Sequence, residues 1–102
     1  LPSHYRVLFL AGPARMQFAA VPLNLMGNHA RAHYFDPGVW SALAIKEAQQ
    51  YGEVICAASA QSNHYTTIPD PDAWNLDANT AYVHYTDNET VNGLQFADIP
   101  NV

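Results

Sequence analysis

The residues best suited to binding a ligand follow the first apolar run of the chain, where small residues lead into a helical pattern. Residues 10–17 are Leu-Ala-Gly-Pro-Ala-Arg-Met-Gln. In an α/β sheet, such a turn directs free backbone N–H groups and the positive end of a helix towards the carboxyl edge of a strand, where phosphate binds. Arg15 would add a charged group. The alternative is a plain tight turn of small residues, and neither a P-loop nor a GxGxxG sequence is present.

Two further segments place aromatic and polar groups after predicted strands. Trp40 begins a helix after Asp-Pro-Gly at 36–38, and its large aromatic plane could stack on a flat heterocycle. Residues 88–90, Asn-Glu-Thr, offer an amide, a carboxylate and a hydroxyl at the same edge of the sheet. The simpler interpretations are a core or helix-start anchor for Trp40 and a polar turn for residues 88–90. Asn-Glu-Thr is also formally a glycosylation site, but with no secretory signal in the sequence we expect no such use.

Three other candidates are weaker. His29 and His33 have the spacing of helical metal ligands, but they straddle the start of a predicted strand, so we expect no metal site. His84 with Asp87 could form a base, although strand alternation more simply makes His84 a sheet residue. Cys56 lies among apolar neighbours, which favours a buried strand position over a nucleophile.

An alternating α/β framework is needed to bring these groups to one edge. The alternation of strands and helices predicts right-handed crossovers and a largely parallel sheet. Two helices cannot cover both faces of four strands, so the fold is expected to be incomplete as given, with both ends continuing into a longer protein. The predicted elements are strands over 5–10, 30–35, 53–58 and 81–85, helices over 14–26 and 40–51, a helical turn near 71–74 within the connection 59–76, and an extended segment over 93–96.

Composition narrows the possible classes of function. The 102 residues are 49% hydrophobic, which is typical of one globular domain. Four basic against nine acidic residues give a net charge of −5, so no basic stripe is available for nucleic acid or an anionic membrane. A single cysteine cannot form an internal disulfide, and we expect a reducing, cytoplasmic setting. No apolar run is long enough for a membrane span.

Together, and in this order, the segments resemble the cofactor domain of the phosphoserine aminotransferase family. The matching stretches are YRVLFLAGPARMQFAAVPLNLMG, YFDPGVWSALAIKEAQQYG and AYVHYTDNETVNGLQF, and the resemblance covers roughly residues 1–100. It implies an α/β fold with a partial, mostly parallel sheet and flanking helices, part of the large domain of an aspartate-aminotransferase-like fold. Residues 1–102 would be a fragment of that pyridoxal-phosphate-binding domain.

The resemblance also implies roles for individual residues. Ala14 and Arg15 match the turn residues that bind the phosphate of pyridoxal 5'-phosphate. Trp40 matches the tryptophan that stacks on the pyridine ring, and Thr90 matches the threonine beside the ring hydroxyl. The family's lysine, its aspartate to the ring nitrogen and the residues donated by a second subunit lie outside this chain, so no residue here is assigned a catalytic role. Lys46, the only lysine, is predicted to face water.

The sequence departs from the family pattern beside the predicted phosphate site. Pro13 and Ala14 replace common glycines, and Met16 is bulkier than the glycine of some members. If the amide of residue 13 normally binds phosphate, Pro13 removes one donor. If Pro13 sits at the first helical position, its fixed φ costs nothing.

The activity implied by the resemblance is a transamination. The family exchanges an amino group between O-phosphoserine and glutamate or 2-oxoglutarate in serine biosynthesis, as a cytoplasmic homodimer that needs neither nucleic acid nor membrane. One alternative is an inactive truncated fragment or interaction module, whose exposed sheet edges would favour self-association. Another is an unrelated phosphate-binding α/β domain, in which Trp40 and Thr90 would be incidental.

Overall fold

A three-stranded parallel sheet organises the molecule, which the computed structural model describes at residues 3–9, 11–29 and 31–102. The strands are β1 (Arg31–Asp36), β2 (Glu53–Ser59) and β3 (Val83–His84), and their order across the sheet is β2-β1-β3. Both neighbours run parallel to the central strand β1. The predicted α/β class and parallel pairing are therefore confirmed.

Two helices accompany the sheet. They are α1 (Ala14–Leu25) and α2 (Val39–Ala48), and they pack against each other. Helix α1 continues past Pro22, whose carbonyl accepts a hydrogen bond from Met26 N at 3.0 Å. No helix in the described part of the chain combines the length and apolar character needed to cross a membrane.

The helix-facing side of the sheet forms the main core. Tyr34, in the middle of β1, is 1% exposed, its hydroxyl lies 2.8 Å from that of Tyr82, and His84 stacks on its ring at a centroid distance of 4.6 Å. Burial and the hydrogen bond with Tyr82 raise the pKa of Tyr34 well above its usual range. Small side chains at the helix positions allow α2 to approach the sheet closely. The buried members of this cluster are Met26, Ala32, Tyr34, Ala44 and Ala48.

The opposite side of the sheet is covered by connecting segments. Phe35 points away from Tyr34 because successive strand residues alternate between faces. Its ring lies 4.5 Å from the ring of Trp74 and 6.4 Å from that of Phe96. Trp74 follows a 3-10 turn at Pro71–Ala73, the helical turn predicted for the connection. In the described part of the chain, connecting segments that include this 3-10 turn therefore cover this face.

A small antiparallel hairpin follows β3. It consists of β4 (Asn88–Glu89) and β5 (Leu94–Gln95), so the segment predicted to be extended over 93–96 is a strand at its centre. Gly93 supplies the positive φ of +72° that the turn between the strands requires. Phe96 N donates to Asp87 O at 2.9 Å, which fastens the end of the hairpin to its start.

The first predicted strand is wrong for the residues that can be compared. Residues 5–9 are not a strand, and Leu10, the end of the prediction, lies outside the described residues, as does Ala30, the predicted start of the next strand. Leu8 and Phe9 are 75% and 97% exposed. A strand exists only where another backbone pairs with it, and the described part of the chain supplies no partner here. The apolar pattern of residues 5–9 was therefore not enough to predict a strand.

The predicted burial of Cys56 is also wrong. Cys56 lies on β2, but its side chain is exposed. β2 is an edge strand of the sheet, and α2 lies mainly against β1, so part of β2 is left uncovered. Partial burial of the sulfur, together with the negative charge of Asp36, still raises the pKa of the Cys56 thiol. The thiol is therefore accessible but not activated.

We predict that Phe35→Ala in the complete protein lowers the free energy of unfolding by about 3–5 kcal/mol, because it removes a buried ring from a packed aromatic group. Tyr51→Ala is the matched control, since it truncates an aromatic ring that is 38% exposed, and it should cost much less. Denaturant unfolding of both variants measures the difference. Equal losses would contradict the packing of Trp74 and Phe96 on β1.

Candidate functional site

The start of α2 is held by a carboxylate from the β4–β5 hairpin. Glu89 has no solvent-exposed surface. Its Oε2 accepts a hydrogen bond from Trp40 N at 2.8 Å, and its Oε1 accepts one from Ser41 N at 2.6 Å. Carboxylates favour this position because the N–H groups of the first helical turn have no partner within the helix, and the helix dipole is positive there.

The next residue of the hairpin contacts the side chain of the same tryptophan. Trp40 Nε1 donates to Thr90 Oγ1 at 2.9 Å. The Trp40 ring is half-buried and Thr90 is exposed, so the pair lies at the surface where the carboxyl ends of β1 and β3 meet. The structure thus brings together two of the four predicted site residues, which are fifty positions apart in sequence.

The other N–H groups at the start of α2 are also occupied. Val39 N donates to Asn92 Oδ1 at 3.2 Å, and Gly38 N donates to Ser41 Oγ at 3.0 Å. A Cβ atom on Gly38 would lie 2.6 Å from Asn92 Oδ1 and 2.7 Å from the carboxyl carbon of Glu89. The hairpin therefore packs on the helix start so closely that residue 38 must be glycine.

The start of α1 differs in this respect. Pro13 is the N-cap residue, with φ −71° and ψ 157°, and it provides no side-chain cap. The first turn contains no acidic residue, and Ala14 and Arg15 are exposed. Within the described residues, no side chain accepts from the N–H groups of Ala14 or Arg15, whereas Met16 N is bonded to Pro13 O at 2.9 Å. Among residues 3–9, 11–29 and 31–102, these two N–H groups and the Arg15 guanidinium have no acceptor, so they could bind an anion.

The carboxylate of Asp36 links several polar side chains at the same edge of the sheet. Its Oδ2 accepts from Ser59 Oγ at 2.9 Å and from Tyr65 OH at 3.3 Å, and its Oδ1 lies 3.4 Å from Ser41 Oγ. Burial and the nearby carboxylate of Asp36 raise the pKa of Tyr65. No function was predicted for Asp36 from the sequence, where its only signal was its position directly after the predicted strand 30–35. In the structure it is the last residue of β1.

The weaker candidates take no part in this arrangement. His33 is buried in β1 with Nε2 3.6 Å from Asp77, while the side chain of His29 lies outside the described residues. His84 is a β3 residue, as strand alternation suggested, and burial lowers its pKa. Lys46 is exposed in the last turn of α2. Among the described residues, no group of three or more His, Cys, Asp or Glu side chains could hold a metal ion.

Each of the two helix starts offers groups that suit one part of a phosphorylated, planar ligand. The free N–H groups and the guanidinium at the start of α1 suit a phosphate group. The Trp40 indole offers a plane for stacking, and the Thr90 hydroxyl lies beside it. A groove between residues 68–74 and 94–101 contains none of the four predicted site residues.

Comparisons with known proteins agree with these features. The family model for "Aminotransferase class-V" matches residues 1–102. A curated phosphoserine aminotransferase from Coxiella burnetii is 50% identical over 101 residues, which are 99% of this chain and 28% of that protein. The chain thus spans less than a third of the length of this relative.

Solved structures give the same result. A phosphoserine aminotransferase from Bacillus circulans subsp. alkalophilus superimposes with a TM-score of 0.91 at 40% identity, over 97% of this chain and 27% of that one. A phosphoserine aminotransferase from Trichomonas vaginalis, described as PLP bound, superimposes with a TM-score of 0.86 at 33% identity, over 100% of this chain and 29% of that one. The predicted resemblance is therefore confirmed.

We predict that Gly38→Ala destabilises the complete protein by about 1–3 kcal/mol, because the added methyl group would overlap Glu89 and Asn92. The backbone of Gly38 is extended, with φ 177°, so the cost arises from lack of space and not from strain. Val39→Ala, at the exposed neighbouring position, serves as the control. If the two variants melt at the same temperature, the tight contact between hairpin and helix is not real.

Proposed function

Because the chain belongs to the class V aminotransferase family, we propose that it forms part of the pyridoxal-phosphate-binding domain of a phosphoserine aminotransferase. The complete protein would transfer an amino group between O-phosphoserine and 2-oxoglutarate, with glutamate and the 2-oxo acid that corresponds to O-phosphoserine as the other pair. The observation that carries this proposal is the Trp40–Thr90 pair beside a capped helix start, next to a second helix whose start is uncapped. An aromatic plane with a fixed hydroxyl and a free phosphate site are the two features that such a cofactor needs.

Pyridoxal phosphate, when bound, supplies the electron sink for amino-group transfer. The residues of this chain have the tasks of binding and orientation. The donor chemistry at the starts of α1 and α2 fits the two ends of that molecule. Residues 1–102 accordingly act as a fragment of the large domain.

The phosphate belongs at α1, because α2 has no donors left. The N–H groups of Val39, Trp40 and Ser41 already bond to Asn92 and Glu89, and the buried Glu89 carboxylate would repel an anion. At α1, the N–H groups of Ala14 and Arg15 and the Arg15 guanidinium are available. An anion there also gains from the helix dipole.

The ring belongs at Trp40, and Thr90 serves two purposes there. The Thr90 hydroxyl accepts from Trp40 Nε1, which limits rotation of the indole. A hydroxyl that accepts one hydrogen bond still has its own proton to donate. Thr90 can therefore hold the stacking plane and donate to a hydroxyl oxygen on the ring.

The remaining chemistry requires parts outside these 102 residues. The lysine that would hold the cofactor must be elsewhere, because Lys46, exposed near the end of α2, is the only lysine here. A cytoplasmic homodimer, in which a second subunit completes the site, is part of the same proposal. The overall test is amino transfer by the complete protein from glutamate to the 2-oxo acid that corresponds to O-phosphoserine, which gives O-phosphoserine and 2-oxoglutarate. Absence of that activity in protein loaded with pyridoxal phosphate would contradict the proposed substrates.

We predict that Arg15→Ala in the complete protein weakens binding of pyridoxal phosphate by about tenfold or more. A charge-assisted contact with phosphate is worth about 1.5–3 kcal/mol. Titration of the cofactor-free protein measures the change. Lys46→Ala removes an equal charge from an exposed position, so it should leave the affinity unchanged. The same loss in both variants would assign the effect to net charge and not to a phosphate contact.

We predict that Thr90→Val weakens cofactor binding and shifts the pH titration of the cofactor's absorbance, because the variant removes a hydroxyl at nearly constant volume. Thr90→Ser keeps the hydroxyl and should stay close to the wild type. If the valine and serine variants give the same pH titration, Thr90 does not contact the ring.

A further inference from the structure

Glu89 fixes the backbone of Trp40, the residue whose side chain would stack on the pyridine ring of the cofactor. Each of its carboxylate oxygens accepts one backbone N–H group, Oε2 from Trp40 at 2.8 Å and Oε1 from Ser41 at 2.6 Å. Two such hydrogen bonds hold a carboxylate and its donors in one relative orientation. The position of the Trp40 backbone therefore depends on Glu89.

The charge of Glu89 is balanced by the helix itself. The ion pairs of the described residues involve Arg31 and His33, and none of them includes Glu89. A fully buried carboxylate without a cation is unfavourable, unless donors and dipoles compensate for the lost water. The positive end of α2 and its two N–H groups do so. A substitution that alters this carboxylate must therefore act first on the backbone of the first turn of α2.

The neighbour of Glu89 completes the contact with the same tryptophan. Thr90 accepts from the indole N–H, while Glu89 accepts from the backbone N–H. Two consecutive hairpin residues therefore hold both ends of Trp40. Asn92 caps the same turn through Val39 N and has no hydrogen bond to Trp40, which provides a natural comparison.

We propose that Glu89 is a positioning residue of the cofactor site, which sets the plane of the Trp40 indole through the first turn of α2. The proposal rests on the proposed function, because it assumes that a pyridine ring stacks on Trp40. Glu89 itself touches neither the ring nor the phosphate. Its effect reaches the ring through the backbone of Trp40 and through the placement of Thr90.

The test compares Glu89→Gln with Asn92→Ala in the complete protein. Glutamine has the same shape but turns an NH2 group towards a backbone N–H donor, so one hydrogen bond is lost and the other loses its charge. Cofactor-free protein is titrated with pyridoxal phosphate, and the circular dichroism of the bound cofactor reports its orientation. We expect about tenfold weaker binding and an altered dichroism band for Glu89→Gln. Asn92→Ala should lower the melting temperature without altering the band.

A second ligand separates the ring from the phosphate. Pyridoxal, which has no phosphate group, should lose affinity for the Glu89→Gln variant by the same factor as pyridoxal phosphate does. Arg15→Ala should weaken the binding of pyridoxal phosphate but leave the binding of pyridoxal unchanged. A Glu89→Gln effect confined to the phosphorylated ligand would overturn the assignment of Glu89 to ring positioning.

The outcomes distinguish this proposal from the proposed function. If Glu89→Gln melts at a lower temperature but binds the cofactor with unchanged affinity and dichroism, Glu89 is only a helix cap, and the proposed function stands. If the wild-type protein does not bind pyridoxal phosphate, both proposals fail. Should the glutamine variant not fold, Glu89→Asp keeps the charge but is too short to reach both N–H groups. An unchanged dichroism band in folded Glu89→Asp protein would also contradict the proposal.

Discussion

The buried carboxylate of Glu89 is the interaction on which the arrangement of the site depends. It joins the β4–β5 hairpin to the start of α2, across 49 positions of sequence for Trp40. Without it, no charged hydrogen bond among the described residues would link the hairpin to the start of α2, and Thr90 would be held less firmly beside the indole. The contact also explains Gly38, since any side chain there would occupy the space of the carboxyl group.

The two helices that precede and follow β1 use their N-termini in opposite ways. The start of α2 is saturated by groups of the protein itself, and its neighbourhood is acidic. The start of α1 has a proline cap, no acidic residue in its first turn and an exposed Arg15. A helix dipole favours an anion in both places, but only one of them still has donors to offer. In the proposed function, this difference sends the phosphate to α1 and leaves the ring to α2.

Local patterns in the sequence were enough to predict most of the elements, but not their partners. α1, α2, β1 and β2 were found close to their observed bounds because their periodicity and their turn residues are local signals. Residues 5–9 have an equally good strand pattern, yet pairing depends on a neighbouring backbone that the pattern does not contain. Cys56 was misjudged for a related reason, because apolar neighbours do not reveal whether a strand lies at an edge.

The site was predicted in the same uneven way. Trp40 and Thr90 were singled out, and the structure brings them together. The resemblance to a family supplied their proposed roles. Glu89 was noted only as one member of a polar triplet. No local feature of the sequence could indicate that its carboxylate caps a helix that begins 50 residues earlier, since capping is usually recognised from adjacent residues.

Pro13 lies at a position where its missing N–H group removes no hydrogen-bond donor from the start of α1. A proline has no N–H to offer, and at a phosphate-binding turn this would remove one donor. In this structure Pro13 is the N-cap, with φ −71°, a value that its ring favours. The donors of an uncapped helix start are the N–H groups that follow the N-cap, and those of Ala14 and Arg15 are intact. The proline therefore fixes the entry into α1 without using up the groups that an anion would need.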